Sequence, residues 1–285
     1  MSAAQFQLLN GLTFAALLFL VASGFTLIFG LMRIVNLAHG ALYLMGGYVA
    51  FAVAGKTGSF LAGLLAAAAA IAVLGLLVDR FLLGFVKGFE LRQVLLTLGV
   101  ALALDDLALV IWGGDTFSVP IPPWLQGPMQ LGDFFYPRYR LFVLAVGVIV
   151  FMLLWLLIHR TRLGALIRAG VDDAETVEAM GVDIRRVFAG TFMIGAALAG
   201  LGGALGGAFL SLYPTADSEI LVFSLAVVII GGRGSLAGAA LGSLLVAMLA
   251  NFGQVWFPEL AYFVIFGPMA LLLAFRPLGL FGRAA

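Results

Sequence analysis

Uninterrupted apolar stretches of about 20 residues recur along this chain, each long enough to cross the ~30 Å hydrocarbon core of a bilayer as a helix. A backbone in hydrocarbon must satisfy its own N–H and C=O groups, which leaves bundled helices or a closed barrel. Barrel strands would read as about ten residues of alternating polarity, a pattern absent here. Hydrophobic residues make up 64% of the chain and charged residues 10%, too apolar for a water-soluble protein of this length. The expected fold is therefore all-α: a polytopic transmembrane helix bundle of about 8–10 spans, some broken or short, in a single membrane domain over 1–285.

Candidate spans fall at 6–31, 36–54, 59–83, 94–112, 140–159, 188–211, 219–232, 236–252 and 261–275. The 219–232 run would be only about 20 Å long, which suits a half-span or broken helix. The first charged residue is Arg33, so the start lacks the basic region of a cleavable signal and reads as a retained span. Basic residues near span ends stay cytoplasmic. Arg80, Lys87 and Arg92 share one loop, and Arg160, Arg162, Arg168, Arg185 and Arg186 crowd another. With both loops inside, Arg33, Arg233, Arg276 and Arg283 are also inside and the amino terminus is outside. Only Lys56, Arg138 and Arg140 dissent. Segment 113–139 carries Pro120, Pro122, Pro123, Pro128 and Pro137; it cannot be a spanning helix and is expected as an external loop, either a connector or a partner surface.

Gly195, Gly200, Gly202, Gly203, Gly206 and Gly207 crowd the sixth span. Small residues let helix backbones approach closely, for static packing or for sliding during transport. The 160–187 loop is more polar. Asp172 or Asp173 can cap a short helix, Glu175 sits where the helix dipole favours a carboxylate, and Gly181 can end it. A helix of about two turns would set Val177 and Met180 as an apolar ridge away from Glu175 and Glu178. Such a ridge suits docking into a groove on a soluble partner, or lying on lipid headgroups.

Asp105 and Asp106 fall near the middle of the fourth span, where an unpaired charge costs a few kcal/mol. They are polar contacts or part of a solute or ion path; adjacent positions point about 100° apart, so they are not expected to bind one ion together. His39 follows a polar break at Asn36 and is expected to hydrogen-bond there. With His39 and His159 the only histidines and no cysteine, no metal or cofactor site is expected and intramembrane enzymology is disfavoured. No phosphate-cradling Gly-x-x-x-x-Gly-Lys-Ser/Thr loop occurs, so an ATP motor would be a separate chain. An internal echo, Phe29 to Arg33 and Ile230 to Gly234, pairs Gly-interrupted segments that in transporters mark the solute path. The orientation makes this repeat parallel.

Three stretches carry a family resemblance. Gly24-Phe25-Thr26-Leu27-Ile28-Phe29-Gly30-Leu31-Met32-Arg33-Ile34-Val35-Asn36-Leu37-Ala38-His39-Gly40, with Tyr43 and Gly46-Gly47-Tyr48 after it, strongly resembles the opening signature of branched-chain amino acid ABC-transporter permeases. Thr161-Arg162-Leu163-Gly164 through Arg168-Ala169, Asp173 and Ala179-Met180-Gly181-Val182 looks like their coupling loop. Gly231-Gly232-Arg233-Gly234-Ser235-Leu236-Ala237-Gly238, then Gly242, is a third similarity. The resemblance implies a plasma-membrane permease subunit working with a second related permease, two cytosolic ATPases and an extracytoplasmic solute-binding protein; the apolar bulk of the chain argues separately against a nucleic-acid partner. It implies a coupling loop around Gly164, Arg168, Ala169, Asp172, Asp173, Val177, Ala179, Met180, Gly181 and Val182. Candidates for the path are Asn36, His39, Gly40, Asp105, Asp106, Gly231, Gly232 and Ser235. Relatives more often carry uncharged polar residues at Asp105-Asp106, and the scaffold also serves urea and amides, so the solute stays open. An ion-coupled secondary transporter using Asp105 or Asp106 is the competing reading.

Overall fold

A computed structural model describes residues 3–32, 36–86, 89–132, 134–232 and 234–281. Arg33, Lys87, Arg233 and Arg283, which the sequence reading placed inside, lie outside the described residues, as do Ile34 and Val35. The helices are α1 (Ala3–Met32), α2 (His39–Thr57), α3 (Phe60–Leu77), α4 (Glu90–Trp112), α5 (Arg138–Arg160), α6 (Arg162–Asp172), α7 (Ala174–Ala179), α8 (Ile184–Phe209), α9 (Ala216–Gly231), α10 (Leu236–Trp256) and α11 (Ala261–Phe275). Six of these are long and apolar enough to cross a membrane, α3 when continued through the π and 3-10 turns that follow it to Val86.

Side-chain caps set several starts. Ser59, Thr161, Asp183 and Ser235 each accept a hydrogen bond from a backbone N–H three residues on, at α3, α6, α8 and α10. Segment 113–139 holds no spanning helix of its own: before α5 begins at Arg138 it carries a 3-10 turn at Pro123–Leu125 and a small antiparallel pair, β1 (Pro128–Leu131) with β2 (Phe134–Pro137), which an all-helical reading omits. Tyr136 in β2 is fully buried; its hydroxyl meets Thr13 Oγ1 at 3.0 Å and donates to Asn10 Oδ1 at 3.2 Å, and Arg140 also donates to Asn10. The hairpin is thereby pinned to the start of α1. Because α5 runs from this hairpin end to Arg160, the basic 160–187 segment lies at the opposite end of the bundle.

Helices α1, α2 and α8 are the most buried, and α3 packs along α2 and α8 with its other side exposed. Glycines are what let them meet. A Cβ on Gly46 would stand 2.4 Å from the Gly200 Cα, one on Gly203 1.8 Å from the Tyr43 carbonyl oxygen, one on Gly195 2.7 Å from the Gly24 carbonyl oxygen, and one on Gly75 2.4 Å from Ala196 Cβ. In lipid, where neighbouring tails are as apolar as leucine, this close packing replaces the hydrophobic drive between helices.

Candidate functional site

Two of the helices begin inside the bundle rather than at its faces. The Nε2–H of His39, the first residue of α2, donates to the Val21 carbonyl at 2.9 Å. Val21 sits about 16 Å short of the end of α1, so the chain has turned back well into the membrane before α2 starts. The break is closed locally. Asn36 accepts from the Ala38 N–H through Oδ1 at 3.1 Å and from the His39 N–H through its carbonyl at 3.2 Å. Thr97 of α4 accepts from the Leu37 N–H at 3.2 Å and donates onward to the Val94 carbonyl. His39 is completely buried, edge-on to Phe25 with ring centroids 5.3 Å apart.

The second internal start is α9, 16 residues or about 24 Å long. It touches the first: a Cβ on Gly40 would stand 2.3 Å from the Asp217 carbonyl oxygen. The loop leading into α9 is constrained. Leu212 pairs with Phe117 through N–H to O contacts of 2.7 and 2.8 Å, and Ser211 and Thr215 hold φ of 70° and 84°, a region that non-glycine residues seldom occupy. Leu221, Leu225 and Val228 of α9 then pack with Phe25 and Phe29 of α1.

Asp105 and Asp106 part company, as their 100° separation requires. Asp105 is half-buried and turns its carboxyl to that of Asp217, while Asp106 is exposed. Both lie in the last third of α4, which begins at Glu90. Asp217, 6% exposed, was missed by sequence reasoning: it sits among Ala216, Ser218 and Glu219 at a helix start, where an acidic residue needs no further explanation. Only its approach to α2 and Asp105 distinguishes it. On α1, α4, α9 and the entry to α2, Thr26 Oγ1, Asn36 Nδ2, His39 Nδ1, Asp105 Oδ1 and Ser224 Oγ are buried without a hydrogen-bond partner among the described residues. Other buried hydroxyls in the same bundle satisfy themselves on their own helix, as Ser23 does on Leu20 and Ser243 on Ala239. Gln93 Oε1, in the first turn of α4, is another such atom, so spare hydrogen-bonding capacity runs along α4 as well as on α1, α9 and the entry to α2.

Gly231, Gly232 and Ser235 lie elsewhere, at the basic end. Gly231 packs against Gly238, each within 2.2 Å of the other's carbonyl oxygen if given a Cβ, and Ser235 caps α10 at 3.0 Å from the Gly238 N–H. A Cβ on Gly30 would stand 2.6 Å from the Gly234 Cα, so the two segments of the internal echo are in contact. The structure does not bring these residues to the His39–Asp217 junction.

The 160–187 loop holds two helices where one was expected. Residues 162–172 form α6, which includes Gly164, Arg168, Ala169 and Asp172; Gly164 lies against the Leu157 and Ile158 carbonyls, with no room for a Cβ. Asp173, not Asp172, caps α7: its carboxylate accepts from the Thr176 N–H at 3.0 Å and from the Thr176 hydroxyl. Those two bonds hold the Asp173 carboxyl below the ordinary carboxylate range. Gly181, at φ 85°, ends the helix past Ala179 and Met180 and donates to the Glu178 carbonyl at 2.9 Å, with the Val182 N–H returning to Val177. The expected Val177–Met180 ridge does not form. Val177 is 6% exposed and packs into the main core, whereas Met180 is 77% exposed. A six-residue helix ending at Ala179 leaves Met180 in the turn, off the face that Val177 occupies.

No solved structure matches the chain. The branched-chain amino acid transport system / permease component family matches residues 7–273, and the chain belongs to this family. It is 32% identical to the high-affinity branched-chain amino acid transport system permease protein BraD of Pseudomonas aeruginosa, over 97% of this chain and 95% of the relative. It is 26% identical to LivH of Escherichia coli, the permease protein of a system of the same description, over 97% and 95%. The ribose import permease protein RbsC of Escherichia coli is 27% identical over 90% and 80%. With its long apolar helices, the chain is a multi-pass plasma-membrane protein of an ABC-transporter permease family.

Proposed function

We propose that this chain is the membrane subunit of an ATP-driven importer and passes branched-chain or related hydrophobic amino acids along the junction of α2 and α9. The observation that carries the reading is the meeting of two helix starts inside the membrane, His39-Gly40 against Asp217, with unused bonding capacity on His39 Nδ1 and on Asp105 Oδ1 beside Asp217. In transporters, interrupted helices of this kind hold the solute, because only their exposed polar groups can replace its hydration. Asp105 and Asp217 offer acceptors to an ammonium group, while Phe25 and Phe29 stand beside an apolar side chain. The family resemblance supplies the rest of the assembly: a second permease, two ATPases at the basic end and a solute-binding protein at the hairpin end. Met180, projecting from the capped and glycine-terminated α7, is the residue best placed to enter a groove on an ATPase.

Reconstitution with the co-purifying ATPases and binding protein tests this. Uptake of labelled leucine should require ATP and drop by about tenfold in Asp105→Asn and Asp217→Asn, with the thermal midpoint nearly unchanged. Uptake of ribose or urea in place of leucine would move the assignment to another solute on the same scaffold. Met180→Asp should lose the ATPases while keeping the spans inserted, since the side chain has little to pack against.

A second reading draws on one specific feature, the approach of two carboxyl groups in the membrane, which is also how an ion-coupled secondary transporter holds a proton. Uptake that persists without the ATPases and collapses with a protonophore would favour it.

A further inference from the structure

Two turns of α2 separate the internal junction from a second contact nearer the hairpin end of the bundle. Gly40 and Gly47 share one side of the helix, and Gly47 lies about 10 Å further towards that end. Both meet the linker between α8 and α9: a Cβ on Gly40 would stand 2.3 Å from the Asp217 carbonyl oxygen, and one on Gly47 2.3 Å from Leu212 Cδ2. The linker therefore descends along α2 from Leu212 to Asp217. Leu212 is fully buried between two glycines of different helices, because a Cβ on Gly207 of α8 would stand 2.9 Å from it and 2.9 Å from Val119 Cγ2. Val119 is 1% exposed and its N–H donates to the Gly207 carbonyl at 3.1 Å. Phe117 exchanges both backbone hydrogen bonds with Leu212, at 2.8 and 2.7 Å, and sets its ring 4.8 Å from that of Phe51 and 6.3 Å from that of Tyr48 on α2. Segment 117–119 thus crosses the linker as a strap, and Leu212 beneath it fills the approach to the Gly40–Asp217 contact.

Resting on the solute path proposed above, we infer that Leu212 is the outer gate of that path and that the Phe117–Val119 strap holds it shut. Leu212 does no solute chemistry; it fills the volume through which water and solute would reach the junction. Its withdrawal would uncover the backbones of Gly47 and Gly207, whose missing side chains leave the passage. The linker has the means to move. Ser211 and Thr215 bracket Leu212 at φ of 70° and 84°. Non-glycine residues keep such backbone only while surrounding contacts impose it, so these are the positions at which the linker changes course once the strap lets go. The strap is joined to the linker and to α8 by three backbone hydrogen bonds, which part and reform without any covalent change.

A reversible lock tests this. The chain has no cysteine, and antiparallel partners that exchange both hydrogen bonds hold their Cα atoms about 5.5 Å apart, within the reach of a disulfide. In the full reconstituted assembly, the double variant Phe117→Cys with Leu212→Cys should lose leucine uptake at least about tenfold on oxidation, since a population held in the covered state cannot reach the open one. A reductant should restore it, and neither single variant should respond to the oxidant. Full uptake with the disulfide confirmed by mass would overturn the gate. Amide exchange in the wild-type assembly gives a readout that needs no variant to fold: Phe117, Val119 and Leu212 should exchange several-fold faster while ATP and loaded binding protein are turned over than at rest. Exchange at the resting rate during turnover would also overturn it. If the wild-type assembly takes up no leucine, the importer reading for that solute falls, and faster exchange at these three amides during ATP turnover would still support the gate. If uptake is normal in the oxidised double variant, the importer reading stands and the gate falls.

Discussion

Helices α2 and α4 have similar lengths, 19 and 23 residues, and opposite fates. From His39 through Tyr48 every residue of α2 is buried, whereas only a narrow stripe of α4 is. Apolar length does not predict this: α4 is among the six helices long and apolar enough to span, and α2, which ends in Lys56 and Thr57, is not. In water the more apolar element goes inside, but in a bilayer the apolar element is content against lipid, and burial goes to whatever packs closest or needs a polar partner. Glycines show the difference at atomic scale. Gly40, Gly46 and Gly47 of α2 each have a neighbour within 2.4 Å of where a Cβ would be, and Gly99 of α4 has none within 4 Å.

The largest effect follows from that contrast. Gly203→Ala should destabilise the solubilised chain by about 3 kcal/mol or prevent its folding, because the new methyl would overlap the Tyr43 carbonyl oxygen and neither backbone can retreat. Gly99→Ala, in the chain alone, should leave stability equal or slightly raised, since alanine is the better helix former by about 1 kcal/mol. Thermal melts followed by size-exclusion fluorescence separate the two cases. Equal melts for both variants would show that contact distance does not govern burial here.

The spans were legible in the sequence because length and hydropathy are what the bilayer demands of them; most helix boundaries fall within a few residues of the expected ones. The glycine cluster of α8 also announced close packing. What stayed hidden was which faces meet. Asp217 reads as an ordinary first-turn acid until α2 is placed beside it, and Val177 reads as a surface ridge until the tertiary fold covers it. Helix periodicity supplies a face but not its neighbour. The β1–β2 pair was hidden for the same reason: its buried Tyr136 acquires meaning only from Thr13 and Asn10, more than a hundred residues earlier in the chain.

The hydrogen bond from the α2 entry to α4 gives the next test. Thr97→Val keeps the shape but leaves the Leu37 N–H without its acceptor, at a cost of about 1–3 kcal/mol for an orphaned buried amide. Hydrogen exchange should rise at Leu37 and at the first turn of α2 while α4 itself is unaffected. A similar cost is expected for His39→Leu, which loses the bond to Val21 and its edge contact with Phe25. If exchange rose along α4 instead, the two helices would be a single cooperative unit and their contrast would be one of exposure only.

The smallest effect sharpens the comparison from the other side. Val110 is 82% exposed on α4, and in the solitary chain its side chain meets lipid whether or not the bundle is assembled. Trimming it to alanine therefore removes no contact that folding creates, and the expected change is within about 0.5 kcal/mol in either direction. Leu42 of α2 is a buried leucine whose truncation to alanine should cost about 2–5 kcal/mol, because the emptied volume is walled by other helices rather than refilled by mobile chains. Matched melts of Val110→Ala and Leu42→Ala compare a lipid-facing with a protein-facing methyl loss. A cost for Val110→Ala approaching that of Leu42→Ala would mean that the outer side of α4 is packed even in the isolated chain. Helix α4 would then belong to the interior with α2, and the division between the two would fail.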